Sequence, residues 1–337
     1  MSKLKLISLF SGIGAYERGL QELGIDYDLQ FFCELDDKIA EAYSLLHKTP
    51  LDKNLGDIET INLSTVKGCD LLVYSPPCQS FSIAGKKKGL KDIRGTLFWN
   101  ALDVIKAANP KYAIMENVSN LANGFKEEFD NMLMHLEDAG YNNYWSLINA
   151  KYFIPQNRER VFVVSIRKDI DDGEFKFPVS NNTKSWWEFI DPYDVRPVTG
   201  RQQRMIDYVK GKNSIDKIKI EGEPQFENAV ITLRQSGLRF QSNREHPAIT
   251  AHYGKGGGNF TILAYNGHVG GIPPSSCFKL MGFKKEDVDL LKEKGFSNSN
   301  LYVMAGNSVV VPVIREIQRT LLKNMPEKDR GAAFQFG

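Results

Sequence analysis

The sequence predicts an α/β fold: a doubly wound sheet of parallel strands followed by a smaller, mainly β or irregular domain. Two observations lead to this prediction. Short apolar segments alternate with helical segments through the first half of the chain, and the alternation stops near Phe177. Such alternation is typical of parallel strands joined by crossover helices. At 337 residues, 42% of them hydrophobic, the chain can build two globular domains.

Five strands are predicted in the first half and shortly after it, each a short apolar run that ends at a glycine, proline or polar residue. In order they cover Leu4 to Phe10, Leu29 to Cys33, Leu71 to Tyr74, Tyr112 to Met115 and Val161 to Ile166. The run from Phe125 to Ala139 has apolar residues at helical spacing and predicts a helix with one buried face. Ligands of doubly wound sheets bind beyond the carboxyl ends of the strands. Those ends fall at Gly12, Glu34, Pro76 to Cys78, and Glu116.

The second part of the chain has a different composition and lacks the alternation of strands and helices. After Phe177 aromatic, basic and turn-forming residues dominate, and four of the five residues from Gly254 to Gly258 are glycine. After Pro273 the pattern becomes helical, and Val309 to Leu322 predicts a helix that returns to the first domain. We therefore expect a first domain of residues 1–177 plus about 303–330, a second domain over about 178–272, and a connecting hinge over about 273–302.

Composition narrows the class of protein. No apolar run approaches the roughly 20 residues that span a bilayer, and the first residues lead into a strand instead of a signal peptide. The four cysteines are scattered without a CxxC pair, so neither a disulfide framework nor a metal site is predicted. Cys33, Cys69 and Cys277 are expected to be buried as small hydrophobic groups. We expect a cytoplasmic protein with no membrane partner.

Charge is distributed unevenly along the chain. The net charge is only +2, yet the stretch from Arg196 to Glu245 contains ten basic and six acidic residues. A local basic excess is what contact with phosphates requires. An ordinary solvated surface is the alternative interpretation of this stretch.

The first strand ends in a glycine turn, Phe-Ser-Gly-Ile-Gly, from Phe10 to Gly14. Glycine permits positive φ and close approach of a ligand, and the Phe10 ring can stack on a nucleobase. Glu34 lies twenty residues beyond Gly14, where an acidic side chain can accept hydrogen bonds from two ribose hydroxyls. The spacing indicates an adenosine-containing cofactor. A purely structural turn is the alternative, because the third glycine of the dinucleotide fingerprint is missing.

A sharper signal follows the strand from Leu71 to Tyr74. The sequence Ser-Pro-Pro-Cys ends that strand, and its two prolines stiffen the turn and present Cys78 at the mouth of the sheet. Packing explains a thiol in that position poorly, so Cys78 is predicted to be a nucleophile. The lysines from Lys86 to Lys88 can favour the thiolate or contact phosphate.

Two further segments place charged groups near that thiol. Glu116 follows the next strand, and a carboxyl group in a partly dehydrated pocket can keep its proton and act as an acid. Arg158 and Arg160 stand two residues apart, so in a strand they would share one face and offer bidentate donors to base oxygens or phosphate. A surface glutamate and surface ion pairs are the alternatives.

Taken together, these segments resemble bacterial and phage DNA (cytosine-5) methyltransferases over nearly the whole chain except about residues 178–228. The resemblance implies a Rossmann-like domain that binds S-adenosylmethionine, and double-stranded DNA as substrate. It matches Cys78 to the family's nucleophile and Glu116 to its acid. The segment Gly306-Asn307-Ser308-Val309 is similar to the last family motif, which folds back onto the cofactor.

The resemblance also implies a larger set of contacts. In this set Asp57 meets the adenine amino group, and Thr232 belongs to a Thr-Leu pair of the target-recognition domain. The cofactor contacts are Phe10, Ser11, Gly12, Ile13, Gly14, Glu34, Leu35, Asp57, Ile58, Pro77, Leu97, Asn307 and Ser308. The DNA contacts are Gln79, Ser82, Lys86, Arg94, Thr232, Arg234 and Arg239. Two positions depart from the family pattern: Ala84 replaces a polar residue, and Ser275-Ser276 replaces the Arg-Glu of the hinge.

The implied mechanism is attack of the Cys78 thiolate on carbon 6 of a flipped-out cytosine. Glu116 would meet ring nitrogen 3 and the exocyclic amine, Arg160 would bind oxygen 2, and Arg158 would steady the pocket. The base must leave the stack because carbon 6 is inaccessible in a duplex. We expect a monomer that is associated with the nucleoid when bound to DNA, and a cognate restriction endonuclease is a candidate genetic partner.

Three rival interpretations stay open at this point. An amino-methyltransferase also uses a Pro-Pro turn, but it normally has an aromatic residue where Cys78 stands and needs no thiol. A tRNA cytosine-5 enzyme shares the fold, but its Cys-Phe-Thr signature is absent from the sequence. A DNA-recognition protein that has lost catalysis would have no need to keep Cys78, Glu116 and Arg160 together.

Overall fold

The computed structural model describes residues 3–77, 97–190, 196–197, 200, 229–234, 237–241, 244–251, 253, 259–265 and 268–323. Spatial contacts divide the chain into two compact units. The first comprises Met1–Asn149, Glu159–Val179 and Val311–Gly337, and the second comprises Ala150–Arg158 and Ser180–Val310. Both units are therefore assembled from segments that are far apart in the sequence.

A mixed sheet of six strands forms the centre of the first unit. Its strands are β1 (Leu4–Leu9), β2 (Tyr27–Cys33), β3 (Leu71–Tyr74), β4 (Tyr112–Val118), β5 (Tyr141–Asn149) and β7 (Glu159–Arg167). The short strand between β5 and β7, β6 (Gln156–Asn157), belongs to the second unit. The order of the six strands across the sheet is β2-β1-β3-β4-β7-β5. The strands β1 to β4 pair in parallel. The predicted doubly wound α/β class is confirmed.

Two features of this sheet correct the prediction of purely parallel strands. Strand β7 is antiparallel to both of its neighbours, because the segment Ala150–Arg158 connects it to β5 without a crossover helix. Strand β5 itself is not predicted by the sequence. Only Tyr141 and Ile148 of its residues are buried, and the polar pair Asn142-Asn143 interrupts any regular apolar pattern.

The helices of this part of the chain pack an apolar layer against the sheet. They are α1 (Ala15–Glu22), α2 (Asp37–His47), α3 (Leu97–Ala108), α4 (Asn120–Gly124) and α5 (Lys126–Asp138). Helix α5 confirms the helix predicted over Phe125 to Ala139, and it buries Phe129, Met132 and Leu136. One continuous core cluster joins side chains of β1, β3 and β4 to those of α3 and α5. This core provides a rigid platform for the residues at the carboxyl ends of the strands.

An antiparallel sheet and three helices form the described part of the second unit. The remaining strands are β8 (Arg196–Pro197), β9 (Ala229–Arg234), β10 (Gly237–Gln241), β11 (His246–Pro247), β12 (Asn259–Tyr265) and β13 (His268–Gly271). Five of them pair in the order β10-β9-β12-β13-β8, and β11 pairs in parallel with β6. The helices are α6 (Pro274–Met281), α7 (Lys285–Glu293) and α8 (Asn298–Asn307). The predicted second region of mainly β structure is confirmed by the five-stranded sheet.

The last helix, α9 (Val311–Lys323), belongs to the first unit and packs on α1. The side-chain amide of Gln318 donates a hydrogen bond to the main-chain carbonyl of Tyr16 at 3.0 Å, and Gln318 is fully buried. The predicted helix from Val309 to Leu322, and its return to the first part of the chain, are therefore confirmed.

Three predicted buried thiols are in the interior. Cys33, Cys69 and Cys277 are between 0% and 6% exposed, and burial raises the pKa of Cys33 and of Cys69 to about 12. These thiols are therefore kept protonated and unreactive near neutral pH. Within the described part of the chain, no helix is long and apolar enough to cross a bilayer.

Candidate active site

The glycine turn after β1 has an unusual backbone that is held by the neighbouring strand. Phe10, Gly12 and Gly14 all have left-handed φ values, of 53°, 53° and 75°. The main-chain N–H of Ser11 donates to the carbonyl of Cys33 at 3.0 Å, and the Cys33 N–H donates to the Ser11 hydroxyl oxygen at 3.2 Å. The turn is thus anchored to the end of β2, while a Cβ atom placed on Gly12 would meet no atom of the described residues within 4 Å. Open space lies over Gly12.

His47, a residue that the sequence analysis did not single out, contacts this turn and holds it in place. Its Nε2 lies 2.9 Å from the carbonyl oxygen of Ile13, and its Nδ1 lies 3.1 Å from the side-chain nitrogen of Gln21. A neutral ring that donates from Nε2 and accepts at Nδ1 satisfies both contacts. The same ring occupies the space beside Gly14, where a Cβ atom would lie 2.1 Å from Nε2. Glycine is therefore required at position 14.

The acid–base behaviour of His47 gives a first prediction. Burial lowers its pKa from 6.5 to about 4, so the folded chain favours the neutral ring. A pKa that is lower in the folded than in the unfolded state contributes stability above pH ~6.5, and that stability is lost as the pH falls toward the folded value. We expect the melting temperature to fall as the pH is lowered from 6.5 to about 4. Thermal melts followed by circular dichroism measure this.

The variant His47→Gln isolates the contribution of this ring. Glutamine can still donate an N–H toward the Ile13 carbonyl, but it does not titrate, so its melting temperature should fall less steeply over the same pH interval. His246 also has a pKa lowered by burial to about 4, but it is present in both proteins and cancels in the comparison. Identical pH slopes for the two proteins would contradict the prediction.

Glu34 lies at the carboxyl end of β2 and faces the glycine turn. Its Oε2 accepts a hydrogen bond from the main-chain N–H of Gly12 at 2.9 Å, and its Oε1 accepts one from the N–H of Asp36 at 3.0 Å. Burial raises the pKa of Glu34, and these two N–H donors oppose that rise. Each carboxylate oxygen has room for one more donor. The side-chain amide of Asn54, which sequence reasoning missed, brackets the main chain of Glu34 with two hydrogen bonds of 3.0 Å.

The structure also describes four other predicted cofactor residues of the first unit: Leu35, Asp57, Ile58 and Leu97. Leu35 is 72% exposed and so presents an apolar surface next to Glu34. Asp57 accepts a hydrogen bond from the N–H of Glu59 at 3.0 Å, and Ile58 is buried. Leu97 begins α3 and packs against the core cluster. The open space over Gly12, the available carboxylate oxygens and an apolar surface together fit an adenosine-containing group.

The turn that follows β3 is fixed on two sides. The hydroxyl groups of Tyr16 and Ser75 are hydrogen-bonded at 3.0 Å, and the side-chain amide of Asn117 donates to the carbonyl of Pro76 at 3.2 Å. Pro76 is buried and Pro77 is exposed. The residues predicted beyond this point lie outside the described part of the chain: Cys78, Gln79, Ser82, Ala84, Lys86 and Arg94.

Glu116 and Arg160 form an ion pair in the first unit. The Arg160 Nε lies 3.1 Å from Glu116 Oε1, and the two side chains are 21% and 10% exposed. Glu116 lies within β4 rather than after it, since β4 continues to pair with β7 as far as Val118 opposite Arg160. The Arg160 Nη1 donates to the carbonyl of Glu159 at 2.7 Å. The structure therefore brings together the predicted acid and one predicted arginine.

Arg158 has a different position, which corrects the prediction that it shares a strand face with Arg160. It falls between β6 and β7, in the second unit, and is 5% exposed. Its guanidinium group donates to the carbonyls of Ile249 at 2.7 Å, Gly306 at 3.2 Å and Ser308 at 3.0 Å. These donors bind the main chain of two segments, at Ile249 and at Gly306 and Ser308. Arg158 is thus a positioning residue rather than a donor to a base or phosphate.

Gln156 completes this internal network, and sequence analysis missed its function. Its side-chain nitrogen donates to the Leu280 carbonyl at 2.7 Å, and its side-chain oxygen accepts from the Ile249 N–H at 3.0 Å. Both contacts lie in the buried interior of the second unit. The polar pattern Gln-Asn-Arg-Glu-Arg therefore serves packing at its first and third positions.

Replacement of Arg158 by lysine tests this network. One ammonium group cannot reach three separate carbonyls, so buried acceptors lose their donors, and we expect a loss of about 2–4 kcal/mol in unfolding free energy. Urea unfolding followed by tryptophan fluorescence measures the loss. Arg244→Lys is a matched control, because Arg244 is exposed. Equal stability of the Arg158 and Arg244 variants would contradict the network.

The remaining predicted residues belong to the second unit. Asn307 is exposed at the end of α8, whereas Ser308 is buried and its hydroxyl donates to the Val309 carbonyl at 3.1 Å. In the hairpin of β9 and β10, Thr232 pairs with Arg239, and Arg234 pairs with Gly237. Predicted DNA contacts thus fall on neighbouring strands of the antiparallel sheet.

Comparisons with known proteins show the family of the chain. A model of the C-5 cytosine-specific DNA methylase family matches residues 4–323. The type II methyltransferase M.Bsp6I of Bacillus sp. (strain RFL6) is 30% identical over 330 residues, covering 96% of this chain and 99% of that protein. The orphan methyltransferase M.Rho11sI of Bacillus phage rho11s is 40% identical over 176 residues, which cover 52% of this chain and 35% of that protein.

The fold agrees with solved structures as well. The S. pombe Dnmt2 methyltransferase superposes with a TM-score of 0.69 at 21% identity, covering 95% of this chain and 99% of that one. This likeness shows the fold, a Rossmann-like α/β domain. The chain belongs to the C-5 cytosine-specific DNA methylase family. The resemblance inferred from its motifs, and the enzyme class DNA (cytosine-5-)-methyltransferase, are confirmed.

Proposed function

We propose that this enzyme transfers a methyl group from S-adenosylmethionine to carbon 5 of a flipped-out cytosine in double-stranded DNA, with Cys78 as covalent nucleophile. One observation carries the proposal: the ion pair of the buried Glu116 and the half-buried Arg160 lies on β4 and β7, and Asn117, next to Glu116, holds the proline turn that leads to Cys78. A carboxylate, a guanidinium group and a directed thiol are the groups that attack on a cytosine ring requires.

The cofactor would be held by the glycine turn and by the end of β2. Glu34 has carboxylate lone pairs for the ribose hydroxyls, Leu35 offers an apolar surface to the adenine, and Asp57 is placed for its amino group. Phe10, Ser11, Ile13, Ile58, Pro77, Leu97, Asn307 and Ser308 complete the set that the family motifs suggest. When bound, S-adenosylmethionine supplies an electrophilic methyl group.

The residues of the chain would carry the remaining chemistry. The Cys78 thiolate adds to carbon 6, and the ring electrons make carbon 5 nucleophilic. Glu116 Oε2 and Arg160 Nη2 form no hydrogen bond within the described residues, whereas Glu116 Oε1 and Arg160 Nε are engaged with each other. Oε2 can therefore pass a proton to ring nitrogen 3 and accept a hydrogen bond from the exocyclic amine, while Nη2 donates to oxygen 2. Once carbon 5 carries the methyl group, a water molecule would take the proton from carbon 5. The C5–C6 double bond would then re-form and release the Cys78 sulfur as a thiolate.

The second unit would recognise the DNA. Thr232, Arg234 and Arg239 on the β9–β10 hairpin are proposed contacts, with Gln79, Ser82, Lys86 and Arg94 following the nucleophile. We propose that residues about 178–272 form the recognition domain and that about 273–302 form the hinge. Phosphate contacts would offset the few kcal/mol that base extrusion costs. The enzyme would act as a monomer on DNA in the cytoplasm, with a cognate restriction endonuclease as a genetic partner.

Mass spectrometry of nucleosides from a methylated substrate tests the proposal. The purified protein is incubated with S-adenosylmethionine and either duplex DNA or RNA, and the products are digested to nucleosides. We expect 5-methylcytosine from duplex DNA only. Methylation of an amino group of cytosine or adenine would refute the proposed chemistry, and 5-methylcytosine from RNA alone would refute the proposed polymer.

A further inference from the structure

Tyr16 is a buried polar side chain that the proposed mechanism does not use. It is the second residue of α1, directly after the glycine turn, and it is 4% exposed. Its main-chain carbonyl is fixed by Gln318 of α9, and its hydroxyl is hydrogen-bonded to Ser75 at 3.0 Å. Burial, together with the nearby Glu116 carboxylate, raises the pKa of Tyr16 well above its usual value, so the hydroxyl keeps its proton.

Ser75 occupies the position where the chain leaves the sheet. It follows Tyr74, the fully buried last residue of β3, and precedes two prolines. A residue before proline is restricted to extended conformations, and this applies to Ser75 and to Pro76. The direction of the turn therefore depends on very few torsion angles. One hydrogen bond to Ser75 and one to Pro76 are enough to hold that direction.

Those two points come from opposite sides of the turn. Asn117 of β4 donates to the Pro76 carbonyl, and its own side-chain oxygen accepts from the Val118 N–H at 2.8 Å. From α1, Tyr16 holds the Ser75 hydroxyl. The first contact links the turn to the strand that carries Glu116. The second links it to α1, which begins directly after Gly14, the end of the proposed cofactor turn.

We propose that Tyr16 is a positioning residue that connects the cofactor turn to the nucleophile turn and, through Ser75, sets the direction in which Cys78 is presented. The proposal rests on the proposed function, since it assumes that Cys78 is the nucleophile. Tyr16 does not touch the reacting atoms. Its effect is expected on the rate of covalent attack, whereas the hydrogen bonds that hold Glu34 and Ser11 in the cofactor turn remain in place.

The test compares Tyr16→Phe, Ser75→Ala and the double variant in single-turnover trapping on duplex DNA that contains 5-fluorocytosine. At saturating S-adenosylmethionine we expect each single variant to form the covalent complex about fivefold more slowly, the size that the loss of one buried hydrogen bond predicts. The double variant should be no slower than the slower single one, because both remove the same contact. The Kd for S-adenosylmethionine should change less than twofold, and Ser75→Thr, which keeps the hydroxyl, should retain the wild-type rate.

Tyr141→Phe is the matched control. Tyr141 is 1% exposed, and its hydroxyl donates to the Pro110 carbonyl at 2.8 Å. Pro110 lies shortly before β4, at the end of that strand that is far from Glu116. This variant also loses one buried hydrogen bond, so it should lower the melting temperature but leave the trapping rate unchanged. A wild-type rate for Tyr16→Phe, an equal loss for Tyr141→Phe, or multiplicative losses in the double variant would each overturn the proposal. Absence of trapping by the wild-type enzyme would instead remove the proposed function.

Discussion

A Cys78→Ala enzyme is expected to lose methyl transfer by about five orders of magnitude or more, because covalent attack on carbon 6 is what makes carbon 5 reactive. No other thiol can replace it. Cys33 and Cys69 are buried, with pKa values raised to about 12, and Cys277 is fully buried. Incorporation of a labelled methyl group into duplex DNA measures the loss.

The matched control for this prediction is Cys69→Ala. It also removes one thiol of the first unit, but a buried and protonated one, so activity should be retained. Isothermal titration of the Cys78→Ala protein with S-adenosylmethionine should show a wild-type Kd, since Glu34 and the glycine turn are unchanged. Full activity of Cys78→Ala would refute the assignment of the nucleophile. Loss of cofactor binding would show that the substitution disturbs the fold instead.

Replacement of Gly14 by alanine is expected to have the second largest effect. Two penalties act together: φ is +75°, and the new Cβ would lie 2.1 Å from Nε2 and 2.6 Å from Cδ2 of His47. The ring cannot move aside easily, because it is buried and held by Ile13 and Gln21. We expect a loss of about 2–4 kcal/mol in unfolding free energy and at least about tenfold weaker binding of S-adenosylmethionine.

Gly24→Ala separates the two penalties. Gly24 also has a positive φ, of +69°, but a Cβ atom there would meet no atom within 4 Å in the part of the chain that the structure describes. This control should therefore lose only the free energy that a positive φ costs alanine, about 1–2 kcal/mol, and the Kd for S-adenosylmethionine should be unchanged. Urea unfolding and calorimetric titration of both variants measure the difference. If the two variants behaved alike, the contact between His47 and the glycine turn would not matter for binding.

Much of the fold was predictable because its signals are local. Strand β3 is a continuous apolar run, β1 and β4 are mainly apolar, and α5 and α9 have regular apolar faces. Strand β5 was not predicted, because its Asn142-Asn143 pair interrupts the apolar pattern. The hydrogen bonds of Asn143 to other segments show why the strand tolerates this residue. Asn143 donates to the Leu133 carbonyl at 3.1 Å and accepts a hydrogen bond from the Ser165 hydroxyl at 2.6 Å.

By itself, the sequence determined the fold class and the family, and it singled out Glu34 and Glu116. These features could be predicted because turns and motifs consist of residues that are neighbours in the sequence. Only the tertiary structure decided which side chains meet. It separated Arg158 from Arg160, and the three carbonyls that Arg158 binds lie 91, 148 and 150 residues further along the chain. It also revealed His47 beneath Gly14 and Tyr16 beside Ser75. Such partners depend on how distant segments pack, which no local pattern of residues records.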